Sequence, residues 1–265
     1  MKRLLWILPA VAAVCAAQSA ETRQARAKRV VDEAIQALGG PAFMQMEDRV
    51  ETGRSYSFDN GKLYGTILTT IYTRYLKPVP GKVEMLEKDA YGKQDESSSG
   101  LLFTMDGYWD YTFHGARPMD DQRIANYQDS VLHNIFYILR QRLNEPGMSL
   151  YSEGADLWEN RPVEIVDITD ADNKTVTVYF GKSDKLPVRQ TYRRRNPTYG
   201  DFDTEATLFA KYHESQGINW PMDIRRDRNS VKIYEMYTDS AEFNTDLKDS
   251  VFTLPSKLKK LSKDK

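Results

Sequence analysis

Polar and apolar residues alternate most clearly between residues 186 and 241, where three turn signals separate four runs, 186–194, 204–213, 218–228 and 231–241. Apolar or small residues take alternate positions in the second run (Ala206, Leu208, Ala210, Tyr212) and the third (Ile218, Trp220, Met222, Ile224). That is the period of a half-buried strand. The breaks Asn196-Pro197-Thr198-Tyr199-Gly200, Glu214-Ser215-Gln216-Gly217 and Arg228-Asn229-Ser230 carry residues suited to turns, so the spacing predicts an antiparallel meander. Pro221 cannot donate to a ladder and predicts a bulge or an edge at that point.

Upstream, Val30, Val31, Ala34, Ile35 and Leu38 make one apolar face of a helix over residues 21–38, which Gly39-Gly40 stops; residues 41–46 add one further turn. Strand-like runs at 49–58 and 62–76 flank Asp59-Asn60-Gly61, a short-hairpin signal. A third strand over 82–91 follows, then a polar loop and a hairpin of 101–105 and 108–113 around Asp106-Gly107. Between Met119 and Leu143 the period becomes helical: Ile124, Tyr127, Val131, Ile135, Ile138 and Arg142 line one side, widened by Leu132, Phe136, Leu139 and Leu143. Strands resume at 148–158, 163–169 and 174–180, giving about a dozen in all. A face that broad must lie on an equally apolar surface, most simply the sheet.

Length changes this picture little, since 265 residues fit one large β-rich domain or two small ones; continuity of the strand pattern favours one. A hydrophobic fraction of 40%, before 15 glycines are counted, permits a substantial core. The net charge of −1 gives no footprint for nucleic acid. Residues 1–20 read as an export signal: Lys2-Arg3, an apolar run from Leu4 to Ala17, and the small-residue exit Ala16-Ala17-Gln18-Ser19-Ala20. Cys15 is the single cysteine, and Val14 before it argues against lipid attachment, so cleavage within residues 17–20 is expected, leaving a mature periplasmic chain without a thiol. The mature domain is then 21–255, and the lysine-rich end, 256–265, is expected to be a solvated or disordered tail.

Catalytic constellations are weak. His114, His133 and His213 lack the spacing of a metal-binding helix pair, no Gly-x-Ser-x-Gly elbow exists, and Gly181-Lys182-Ser183 lacks the earlier glycine of a phosphate loop. Asp120-Asp121 fits a helix start and Asp170-x-Asp172 a hairpin turn. Neither an enzyme nor a cofactor is expected.

Several short motifs together resemble the LolA-like family of bacterial lipoprotein-sorting carriers: the leader, the first helix ending in Ala37-Leu38-Gly39-Gly40, and the Asp106-Gly107-Tyr108-Trp109 hairpin. Leu186-Pro187-Val188-Arg189, the spacing Tyr212-x4-Gly217-x2-Trp220-Pro221 and the closing Asp249-x-Val251-Phe252-Thr253-Leu254-Pro255 belong to the same set. The resemblance implies a mainly β fold, a strongly curved antiparallel sheet forming an incomplete barrel, with two or three helices packed in its open side. It also implies an apolar cavity accepting lipid or lipoprotein acyl chains, envelope donor and acceptor proteins as partners, and a monomer. Such a sheet can close as a core or leave room for a ligand. Ile135 and Ile138 on the helix, with Leu208, Trp220, Met222 and Ile224 on the strands, are core residues in the first case and acyl-chain contacts in the second. A closed core would suit a sensing or structural module that binds a protein partner instead.

Counting hairpins puts the turns after Arg195 and Arg228 at the same end of the sheet, so Arg193, Arg194, Arg195, Arg225, Arg226 and Arg228 are expected on one rim. Such a rim either keeps an edge soluble or meets anionic headgroups at a cavity mouth.

Overall fold

The computed structural model describes residues 21–92 and 99–262; the export signal expected over residues 1–20 lies outside the described residues. Helix α1, Arg23–Ala37, starts where Thr22 Oγ1 accepts the Ala25 amide at 3.1 Å, and a short α2, Pro41–Met44, follows Gly40. Strands β1 (Asp48–Asp59), β2 (Lys62–Tyr75), β3 (Met85–Tyr91), β4 (Ser99–Thr104), β5 (Gly107–Thr112) and β6 (Gly115–Pro118) form the first meander. After the helical segment, β7 (Ser149–Trp158), β8 (Arg161–Thr169), β9 (Thr175–Gly181), β10 (Pro187–Arg195), β11 (Phe202–Ser215), β12 (Ile218–Arg228) and β13 (Val231–Phe243) form the second.

Among the described residues these thirteen strands make one antiparallel sheet, ordered β6-β5-β4-β3-β2-β1-β13-β12-β11-β10-β9-β8-β7. The two meanders join through β1 and β13, first strand against last. Consequently β6 and β7 are the two edges, and the chain between them, residues 119–148, must cross the open side of the sheet. The half-open, mainly β architecture expected from the sequence is the one observed. Asn60 (φ 48°) and Gly61 (φ 75°) make the left-handed pair that the tight hairpin between β1 and β2 requires. At Gly53 the β1–β13 register shifts and a Cβ would meet Tyr237 O at 2.2 Å, so only glycine fits the kink there.

Helix prediction over 119–143 needs one correction. The segment breaks in two: α3, Asp121–Leu132, is followed at Asn134 by α4, Ile135–Tyr137, which runs into a π turn over Ile138–Arg142. Gln190 of β10 supplies the cause, because its Oε1 accepts the Ile135 amide at 2.8 Å and its Nε2 donates to His133 O at 2.9 Å. Asn134 Oδ1 caps the new helix at the Phe136 amide, 3.0 Å. Strand β6 is the element that the pattern did not announce, being four residues long. Pro221 pairs with Tyr212 of β11, while pairing of β12 to β13 starts only at Asp223, so its missing donor faces a locally unpaired side. The lysine-rich end runs beside β6 as far as residue 262: the Ala116 amide donates to Lys259 O at 2.9 Å and the Leu261 amide to Ala116 O at 2.8 Å. That backbone pairing covers an edge.

The main core joins α1 and α4 to strands β8–β12, with Val31, Ala34, Phe43, Ile135, Ile138, Leu139, Ile168 and Phe180 sealed from solvent. Arg140 anchors α4 further, donating to Phe43 O at 2.8 Å while lying 4.0 Å over the Tyr75 ring. The helical crossing is thus fastened on the β8–β10 side.

Candidate functional site

On the other side, between α3 and the concave face of β1–β4 and β11–β13, lies a cavity of about 650 Å³. This is within the usual range for a small-molecule site, roughly 300–1,000 Å³. Helical spacing turns Arg123, Asn126, Tyr127, Ser130 and Val131 of α3 toward it, and the strand period does the same for Glu87, Asp89 and Tyr91 of β3. Its apolar wall includes Phe103, Phe136, Phe209, Trp220, Ile224 and Met236. Tyr127 stacks on Phe103 with ring centroids 3.7 Å apart, and Phe136 packs edge-on against Phe209 at 5.0 Å.

The six apolar residues singled out from the sequence divide. Ile135 (0% exposed) and Ile138 (2%) belong to the main core and Met222 packs against it; Trp220, a member of that core, and Ile224, packed against it, also line the cavity. Leu208 sits opposite Arg225 in the register, while Thr207 and Phe209 line the cavity with their partners Arg226 and Ile224. The alternation that picked out Leu208 and Tyr212 together fails at Lys211. There φ is 52°, and the ammonium meets Asp223 at 3.1 Å while Tyr212 packs against the main core.

The six arginines divide by the same period. Arg194, Arg226 and Arg228 line the cavity; Arg225 pairs with Asp227 at 2.5 Å, Arg193 lies 4.6 Å over the Phe202 ring, and Arg195 is exposed. The turns after Arg195 and Arg228 do share one end, where Asp203 accepts from Asn196 at 2.9 Å and from Asn229 at 2.7 Å.

Arg49 and the carboxylates of the cavity were the part that sequence reading missed. Arg49 pairs with Glu51 at 2.5 Å, lies 4.5 Å over the Trp220 ring and donates to Tyr75 Oη at 2.6 Å. Burial pushes the Glu87 carboxyl well above the ordinary carboxylate range, with Asp89 adding to it and Arg49 and Arg226 opposing. Burial likewise raises Asp89, opposed by Arg226 and by the Tyr91 hydroxyl, which donates to Asp89 Oδ2 at 3.5 Å. Carboxylates at i and i+2 of a strand share a face, so Glu87-x-Asp89 was a usable signal; which face is concave was not.

No protein-family model and no curated protein matches the chain. Solved structures do. A DUF1329 family protein from Desulfovibrio piger superposes with a TM-score of 0.59 at 12% identity, covering 86% of this chain and 97% of that one. A LolA superfamily protein from Nitrosomonas europaea superposes with a TM-score of 0.50, also at 12% identity and with the same 86% and 97% coverage. Identity this low speaks for the architecture alone. With its half-open antiparallel sheet, its helices across the open side and its cavity between them, the chain has the LolA-like fold.

Proposed function

We propose that this chain is an exported, non-enzymatic carrier that shields the acyl chain of a lipid or lipoprotein in the cavity between α3 and the concave sheet. The observation that carries the reading is the cavity itself: about 650 Å³, walled by Phe103, Phe136, Phe209, Trp220, Ile224 and Met236. Apolar surface left facing such a space is costly in water, and an acyl chain removes it at roughly 25 cal/mol per Å². The LolA-like fold supports the same reading, as does the leader pattern of residues 1–20 for export to the periplasm. Exchange of cargo with envelope donor and acceptor proteins follows from a carrier role.

Native mass spectrometry of the mature protein, purified from its own envelope without detergent, tests the proposal. A mass excess that organic extraction identifies as lipid or acylated peptide is expected. A protein that stays at its bare mass after incubation with lipid vesicles overturns it.

A further inference from the structure

Five arginines line the cavity, and four of them are matched. Arg49 pairs with Glu51 at 2.5 Å, Arg123 with Asp110 at 2.8 Å, Arg194 with Asp129 at 2.9 Å and Arg228 with Glu205 at 2.7 Å. Arg226 has no carboxylate within 4.0 Å among the described residues; it lies 5.4 Å over the Tyr234 ring. Of the acids in the cavity wall, Glu51 is matched, whereas Glu87 and Asp89 have no cation within the same distance among the described residues. Arg226 on β12 and Glu87 and Asp89 on β3 nonetheless line the same space, and Arg226 acts electrostatically on both carboxyls.

Carboxylates accept hydrogen bonds, and a primary ammonium has three N–H groups to donate, so Glu87 and Asp89 suit an ammonium. Tyr91, Phe103 and Tyr127 stand in the same wall. The unmatched guanidinium of Arg226 suits a phosphate, which it can hold through two parallel bonds.

We propose that the cavity selects an amphiphile with a zwitterionic phosphoethanolamine-type headgroup, its ammonium at Asp89 and Glu87 and its phosphate at Arg226. This rests on the carrier reading above and narrows it to a headgroup class. An ammonium beside Glu87 and Asp89 favours the ionised forms that burial disfavours, whereas a neutral acyl ester would leave Arg226 unmatched and an anionic headgroup would answer only Arg226.

The test uses the full mature protein and three lysophospholipids of identical acyl chain: phosphoethanolamine, N-acetylated phosphoethanolamine and phosphoglycerol, titrated calorimetrically below their micelle concentrations. The free amine is expected to bind at least tenfold more tightly than the other two. Asp89→Asn with Glu87→Gln should abolish that preference, and Arg226→Gln should weaken all three, with thermal unfolding showing each variant folded. Equal affinity for the three lipids in the parent protein overturns the headgroup assignment while leaving the carrier reading standing. Absence of binding by any of them overturns the carrier reading and this assignment with it.

Discussion

The Trp220 indole N–H donates to Glu51 Oε1 at 2.7 Å, while the guanidinium of Arg49 rests on the face of the same indole and pairs with the other carboxylate oxygen of Glu51. Arg49 and Glu51 of β1 thus form a buried charge pair against Trp220 of β12 beside the cavity, and among the described residues Glu51 is the carboxylate in direct contact with Arg49. Replacing Glu51 with alanine strands a buried cation, for which the expected loss is about 3–5 kcal/mol of unfolding free energy. Urea denaturation measures it. A loss below about 1 kcal/mol would show that the pair is not sealed as described.

Gln190 is the second internal tie. It holds the backbone at the break between α3 and α4 to the sheet, through the Ile135 amide and the His133 carbonyl. Gln190→Leu keeps the volume and leaves both backbone groups unpaired, so stability should fall by at least about 2 kcal/mol, at roughly 1–3 per stranded group. Hydrogen exchange should accelerate at Ile135 in particular. If that amide stays as protected as in the parent, another partner holds the crossing in place.

These two ties explain why the sequence was readable for strands and less so for the site. Alternation in β11 and β12, the Asn60-Gly61 turn and the glycine stop after α1 are local signals, and each predicted its element. The break at Asn134 was not local, because the apolar period runs straight through it and the partner that enforces it, Gln190, is 55 residues away. For the cavity the difficulty is one of sides: Leu208 and Phe209 are equally apolar neighbours, and the positive φ of Lys211 decides which of β11's faces continues inward. Glu87 and Asp89 looked like ordinary strand polarity, since nothing in β3 itself says that its polar face is the enclosed one.

The arginines expected on one rim differ in what they hold. Arg194 donates to Asp129 at 2.9 Å and to Ser130 Oγ at 2.6 Å, fixing α3 to β10, whereas Arg193 and Arg195 are exposed. Arg194→Gln should therefore lower the melting temperature by several degrees, equivalent to about 1.5–3 kcal/mol for bonds of a charged group. Arg195→Gln should move it by less than a degree. Equal effects would mean that Arg194 is not bonded across to the helix.

Glu87 and Asp89 predict a definite pH dependence. Both carboxyls are held above their ordinary range by burial, so the folded chain keeps protons there that the unfolded chain has already released. Their contribution to stability is fully present below about pH 4 and is lost as pH rises through the raised folded values. Other carboxyls, Asp170 among them, are lowered and slope the other way, so the comparison must be between proteins. Relative to the parent, Asp89→Asn with Glu87→Gln should gain stability steadily from pH 4 to above neutral, with little difference at the acid end. Parallel pH profiles would place these groups in contact with bulk water.

Ile135 and Ile224 offer the sharpest contrast between core and cavity. Ile135 is sealed inside the cluster that joins α4 to the sheet, and an aspartate there buries a charge with no cation to meet it, so Ile135→Asp should cost more than about 4 kcal/mol and leave little folded protein. Ile224 is half-buried and borders the cavity beside Phe209, where a polar side chain stays hydrated. Ile224→Gln should keep the far-ultraviolet circular dichroism of the parent and weaken uptake of a fluorescent fatty-acyl probe by about tenfold, the effect of roughly 1.4 kcal/mol of lost apolar contact. An Ile135→Asp protein that remains folded would displace α4 from the core, and undiminished probe uptake by the Ile224 variant would move the acyl chain out of this cavity.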